Sequence, residues 1–189
     1  MVDSLTYIKR FSEEVYGRFP DGSENILLLS ESPGTANRII PLETVLINEY
    51  MASNRSTHMD EYGEFDDWIE LYNPNDFAVN IGGAYMTDSM GDPGKFRIPA
   101  HVPDSTTIPP RGHLVLWADG QEDQGVRHLG FKLQSGGEDI ALLQPDGTSI
   151  IDSISYIDLN EDISKGRLAD GSENIQLLTP SPGFPNGLE

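Results

Sequence analysis

The chain contains no cysteine, which excludes a disulfide framework and any thiolate metal site. No apolar run approaches the ~18–20 residues that a membrane-spanning helix requires, so no membrane span is expected. The opening Met1-Val2-Asp3 has neither a basic nor an apolar region of the signal-peptide type, and an export signal is expected upstream of the chain. Long helical periodicity is absent. So are a Gly-x-Ser-x-Gly elbow and a phosphate-binding Walker loop. The histidines His58, His101, His113 and His128 form no His-x-His or His-x-x-x-His pair suited to zinc. Basic residues are scarce: 12 Lys and Arg stand against 31 Asp and Glu, a net charge of −19. Residues 1–43 hold 4 basic and 7 acidic residues, so the acidic excess lies beyond them. Duplex phosphates would repel such a surface, and nucleic-acid binding is not expected. The charge suits a soluble, self-repelling exterior or a site for cations.

What is present is a long internal repeat. Val2-Asp3-Ser4-Leu5-Thr6-Tyr7-Ile8 matches Ile151-Asp152-Ser153-Ile154-Ser155-Tyr156-Ile157. Gly17-Arg18 and Asp21-Gly22-Ser23-Glu24-Asn25-Ile26 recur as Gly166-Arg167 and Asp170-Gly171-Ser172-Glu173-Asn174-Ile175, and Ser32-Pro33-Gly34 and Asn37 recur as Ser181-Pro182-Gly183 and Asn186. The offset is a constant 149 residues, too long for a solenoid unit. The expectation is one complete domain at 46–188, a linker at 40–45, and the C-terminal remnant of a preceding copy at 1–39.

Several short runs alternate with a period of two between turn residues. They predict strands at Val45 to Tyr50, Asp67 to Tyr72, Phe77 to Ile81, Ala84 to Thr87, Lys95 to Ile98, His113 to Ala118, Asp139 to Leu143 and Ser149 to Tyr156. Gly166 to Ala169 and Ile175 to Leu178 follow, and the N-terminal segment offers Leu5 to Ile8 and Ile26 to Leu29. Clusters such as Asn73-Pro74-Asn75-Asp76, Asp92-Pro93-Gly94 and Pro145-Asp146-Gly147 reverse the chain. The pattern indicates an all-β sandwich or barrel. Alternation places Trp68 and Glu70 on one face of their strand and Ile69 and Leu71 on the other. Leu114 and Leu116 share a face opposite Val115 and Trp117.

An ordered series of motifs carries a resemblance. Leu46-Ile47-Asn48-Glu49, Met51-Ala52-Ser53-Asn54, Asp60, Gly63 and Asp67-Trp68-Ile69-Glu70-Leu71-Tyr72-Asn73 are followed by Thr87-Asp88, Lys95-Phe96, Ile98-Pro99, Gly112 and Leu114 through Asp119. Phe131-Lys132-Leu133, Gly137-Glu138, Asp146-Gly147, Gly166-Arg167, Asp170-Gly171 and Pro182-Gly183 complete it. The series resembles a bacterial lamin-tail domain over about 46–186, and the segment 2–39 resembles that family's final quarter. The resemblance implies an immunoglobulin-like β-sandwich and an extracellular accessory module, of the kind found beside kinase-like domains, hydrolases, nucleases and adhesive repeats. It implies no catalytic residues. Nuclear relatives bind proteins and in some cases DNA, but this chain lacks both a basic surface and a coiled-coil rod.

Six carboxylates fall within the eleven residues 60–70. Ca²⁺ takes six to eight oxygens, which flexible acidic loops supply. Asp60, Glu64, Asp66 and Asp67 are the candidate metal ligands, and Ca²⁺ is the one cofactor considered. The competing reading is a solvated loop whose turn is shaped by Asp60 and Gly63. Asp88 and Asp92 would join only if their loops meet the first. Asn48 and Glu49, in a buried strand, are expected to satisfy backbone groups or an arginine such as Arg167. Trp68 and Trp117 read as core residues rather than sugar-stacking platforms. The apolar segments within 1–39 should seek partners at a strand edge, by packing on the full domain or by exchange with a neighbouring molecule, a possible route to a dimer. The functional expectation is a non-catalytic accessory module of a larger exported protein, mediating attachment to protein or surface glycan outside the cell or at its surface. A Ca²⁺-stabilised adhesive or carbohydrate-binding sandwich is the second reading, and a hydrolase domain the third.

Overall fold

The computed structural model describes residues 15–24 and 26–187. The chain divides into two units, Met1–Ile40 and Pro41–Glu189. The strand expected at Leu5 to Ile8 lies outside the described residues.

In the first unit, β1 (Val15–Arg18) pairs antiparallel with β2 (Ile26–Ser30), which pairs with β3 (Arg38–Ile39). Leu27 and Leu29 are its buried side chains. Pro20 and Gly22 turn the chain, with Gly22 at φ +78 and the Ser23 amide donating to Pro20 O. Asn37 fastens the turn to the strand pair: its Nδ2 donates to Arg18 O at 2.9 Å and its amide to Asp21 Oδ1 at 2.9 Å.

The second unit opens with β4 (Leu46–Met51), β5 (Trp68–Tyr72), β6 (Val79–Asn80), β7 (Tyr85–Thr87) and β8 (Phe96–Arg97). A one-turn helix α1 (Pro103–Thr106) and β9 (Thr107–Ile108) lead to β10 (His113–Trp117). A 3-10 turn at Glu122–Gln124 precedes β11 (Gly137–Leu143), β12 (Ile150–Ile157), β13 (Ser164–Arg167) and β14 (Ile175–Leu178). One sheet has the order β10-β5-β4-β13-β14, the other β12-β11-β7-β8, and β6 and β9 form a separate ribbon. All of these pairings are antiparallel. This is the all-β, immunoglobulin-like sandwich that the sequence implies.

The core lies between the two sheets because alternation sends one side chain in two toward it. Ile47, Tyr50, Ile69, Leu71, Leu114 and Leu116 enter from the first sheet, and Met86, Ile140, Leu142, Ile154 and Tyr156 from the second. The register slips between Ile47 and Glu49, so Asn48 is the extra residue of a β-bulge. Leu42 is tied to the domain through both backbone groups, its amide donating to Gln144 Oε1 and its carbonyl accepting from Gln144 Nε2. The predicted strand Phe77 to Ile81 shortens to Val79–Asn80, with Phe77 exposed. Asn73 Nδ2 accounts for this, since it takes the carbonyls of Phe77, Ile108 and Pro109 and fixes that chain as a loop.

The network of the first unit recurs in the second, 149 residues on. Asn186 Nδ2 donates to Arg167 O at 3.0 Å and its amide to Asp170 Oδ1 at 2.8 Å. Ser181 Oγ donates to Asn186 Oδ1, as Ser32 Oγ does to Asn37 Oδ1. Arg167 Nη1 donates to Ser172 O, as Arg18 Nη1 does to Ser23 O. The registers also correspond: Val15 opposes Leu29 as Ser164 opposes Leu178.

Candidate functional site

The outer face of the larger sheet carries two groups of side chains. Met51, Trp68 and Trp117 form a small apolar cluster there, with Val115 packed against it. Trp68 is fully buried and Trp117 nearly so, which leaves neither as an open sugar platform. Farther along the same face lie Glu49 and Glu70, both fully buried. Residues 181–186 cover them. Glu49 accepts from Ser164 Oγ at 2.5 Å, Ser181 Oγ at 2.9 Å and the Ser181 amide at 3.1 Å. Glu70 accepts from Asn48 Nδ2 at 3.0 Å and the Gly183 amide at 2.6 Å. His113 Nε2 stands 3.0 Å from Asp170 and 4.0 Å from Glu70.

Burial raises both carboxyls, and for Glu70 it outweighs its two donors and carries the group up to about 8. Of the two roles expected for Asn48 and Glu49, they satisfy backbone amides, those of Gly171 and Ser181, while Arg167 bonds elsewhere. It reaches the other sheet, donating to Ile47 O and, through Nη2, to both oxygens of Asp152, the nearer at 2.9 Å. Asp152 also accepts from the Ile47 amide, so an arginine–aspartate pair joins β13 and β4 of one sheet to β12 of the other. This region is an internal polar seam that locks the fold.

The candidate ligands lie at the Met51 and Trp68 end. Asn54 staples the β4–β5 loop: Nδ2 donates to His58 O and Asp66 O, and Oδ1 accepts from Thr57 Oγ1. Asp60 Oδ1 accepts from the amides of Tyr62 and Glu64, each at 2.8 Å, and Gly63 at φ +84 closes the turn. The other oxygen, Asp60 Oδ2, is buried and has no hydrogen-bond partner among the described residues, as does Asp66 Oδ2. Asp60, Glu64 and Asp66 each bring a carboxylate oxygen within 4.8 Å of the other two. Asp67 is not in this group; its Oδ1 accepts from the Asn54 amide, and burial pushes it up to about 6. Asp88 is held by Lys95 through both oxygens and does not join either.

Two residues outside the expected set stand beside it. The loop after β10 supplies Asp119 and His128, and these form a second group with Asp60, again within 4.8 Å. His128 Nδ1 meets Asp119 Oδ2 at 2.5 Å, and Nε2 lies 3.4 Å from Glu61. Burial opposes charge on the ring, but Asp119 and Glu61 prevail and raise the His128 pKa. The two loops also interlock, since Gln121 and Gln124 both donate to Glu64 Oε2 at 2.8 Å. Burial raises the Asp66 carboxyl, and Asp119, Asp60 and Glu64 add to that while Lys132 opposes it. No spacing rule links Asp119 and His128 in the sequence; only the run of motifs ending at Asp119 places one of them near a strand end.

Beside this cluster is an open concavity of about 550 Å³, lined by Arg55, Phe65, Asp66, Asp67, Lys132 and Gln134 among others. The arrangement can hold a cation or a polar ligand. Among the described residues no helix is long and apolar enough to cross a membrane. No curated protein and no solved structure matches the chain. The family profile described as Lamin Tail Domain matches residues 41–158, from the segment before β4 to the end of β12. With that match over most of the chain and the sandwich it describes, the chain belongs to the lamin tail domain family.

Proposed function

We propose that the domain is a non-catalytic attachment module of a larger exported protein, acting outside the cell or at its surface on a protein or surface-glycan partner. The family is an immunoglobulin-like, non-catalytic one, consistent with an interaction module. The observation that carries the reading is the concavity at the loop end. A rigid sandwich presents Arg55 and Lys132 beside Asp66 and Asp67, with the Phe65 ring at the rim. Mixed charge and an aromatic edge suit a polar partner that offers both donors and acceptors. The recurring network at Arg18 and Asn37 supports the further proposal that the first unit is the C-terminal quarter of a preceding copy.

The test is binding of the purified chain to a glycan array and to immobilised cell-surface protein fractions. Binding that Lys132→Glu and Phe65→Ala both abolish, with melting unchanged, supports attachment through this end. Binding untouched by either variant, or none on any surface, overturns it. Exchange through residues 1–39 is tested by light scattering with and without them, a monomer in both cases at high concentration ending that proposal.

A further inference from the structure

We propose that the two interlocked loops form a Ca²⁺ site, with Asp60, Glu64 and Asp66 as carboxylate ligands and with Asp119, grouped with Asp60 and His128, beside it. The inference does not depend on the attachment reading, although Asp66 also lines the concavity.

Asp60 is only 8% exposed, and its Oδ1 accepts from two backbone amides. Oδ2 is buried, has no hydrogen-bond donor among the described residues, and belongs to a side chain that two separate ligand groups share. A buried carboxylate oxygen without a donor is costly unless a cation neutralises it. Asp66 Oδ2 repeats the situation one loop turn away. The protein's own cations are outnumbered. Asp60, Glu61, Glu64, Asp66 and Asp119 share this end with Lys132, which acts on Asp66, and with His128, which is already engaged by Asp119 and Glu61. A divalent ion would satisfy both orphaned oxygens at once.

The donor chemistry selects the ion. Three carboxylates drawn from one loop form a hard, all-oxygen set, which suits Ca²⁺ and its variable geometry. Mg²⁺ demands near-octahedral ligands and sheds its water reluctantly. A softer metal would call on the ring nitrogens of His128, but Nδ1 faces Asp119 at hydrogen-bond distance. The role of His128 is to orient Asp119 through the hydrogen bond between Nδ1 and Oδ2. Glu64 Oε2 takes both glutamine amides, so the ion would engage its other oxygen and tie the β4–β5 loop to the loop after β10.

The test uses the intact chain, stripped with EDTA and held at constant ionic strength so that screening of its −19 charge is not read as binding. Calorimetric melting and titration with CaCl₂, MgCl₂ and ZnCl₂ are compared, with Tb³⁺ luminescence as a direct probe of an occupied oxygen site. The expected result is saturable Ca²⁺ binding with a dissociation constant on the order of 0.1–1 mM, as in extracellular modules, and a rise in melting temperature that follows occupancy. Asp60→Asn and Asp66→Asn should each weaken binding by roughly tenfold or more while melting normally in EDTA. Because Asp60 also shapes its turn, Asp66→Asn is the independent variant. Absence of a Ca²⁺-dependent shift in the wild type overturns the site, as does a shift that both variants retain. Stabilisation by Zn²⁺ with Ca²⁺ silent also overturns it, in favour of the group containing His128.

Discussion

Glu70 should make the domain less stable as the solution becomes more alkaline. The residue is fully buried on the outer face of the larger sheet, with Asn48 and Gly183 as donors and Glu49, Asp170 and His113 as its charged or titratable neighbours. Its carboxyl is carried from 4.5 to about 8, chiefly by burial. The folded state therefore holds a proton that the unfolded chain releases at lower pH. Stability from this group is complete below 4.5 and is lost as pH rises through about 8. The full displacement corresponds to a ceiling of about 5 kcal/mol, at no more than ~1.4 kcal/mol per pH unit. Local relaxation and water entry lower that figure, so a loss of about 2–4 kcal/mol between pH 5 and pH 8 is expected.

Urea denaturation at steps from pH 5 to pH 9 measures it, with Glu70→Gln as the isolating variant. Glu49 and Asp67 are also raised and contribute in the same direction, so the informative quantity is the difference between the two profiles. The glutamine amide must turn its NH₂ toward either the Asn48 or the Gly183 donor. That offset of about 1–3 kcal/mol is independent of pH, whereas the slope is not. The reasoning fails if wild type and Glu70→Gln run parallel across the range, or if wild-type stability rises from pH 5 to pH 8.

Arg167→Ala should cost about 3–5 kcal/mol in urea denaturation, because it strands Asp152 and the Ile47 carbonyl at a buried seam between the sheets. Gly166→Ala places a Cβ 2.4 Å from Asn48 O and 2.9 Å from Glu49 Cα, so β13 must shift from β4; a loss of roughly 1–3 kcal/mol or more is expected by thermal melting. The matching Gly17→Ala meets the tip of the Leu29 side chain at 2.6 Å and should perturb the first unit less, as read by amide exchange. Tyr50→Phe removes a buried hydroxyl that has no partner among the described residues and should raise stability by about 1 kcal/mol in the same denaturation assay.

The strands were legible where alternation was clean. Trp68 to Tyr72 and His113 to Trp117 face as their period of two dictates, with Ile69, Leu71, Leu114 and Leu116 in the main core. Phe77 misled because one asparagine, Asn73, holds the chain around it out of the sheet, and no local signal announces that. β1 is outside the expected strands, and its signal lies in the repeat, through its equivalent β13. The Asn48 bulge and the partners of Glu49 were invisible for another reason: Ser164 and Ser181 lie 115 and 132 residues away along the chain. At the acidic loop, local spacing brought Asp60, Glu64 and Asp66 into view. Asp67, also in the expected set, lies outside that group, and Asp119 and His128 come from the loop after β10, which local spacing does not reach.

The cover over Glu49 and Glu70 has a consequence for biosynthesis. During translation β4 and β5 emerge with two acidic side chains whose donors in residues 164–183 have not yet been made. β10, β5 and β4 can pair earlier, but the sheet lacks β13, β14 and its cover until the final quarter leaves the ribosome, so the domain should mature late. In a protein carrying successive copies, a final quarter with the same donors would be available from the wrong neighbour during that wait. Crossed completion between adjacent copies is then the characteristic error of assembly, and sequence divergence between copies is the natural protection against it.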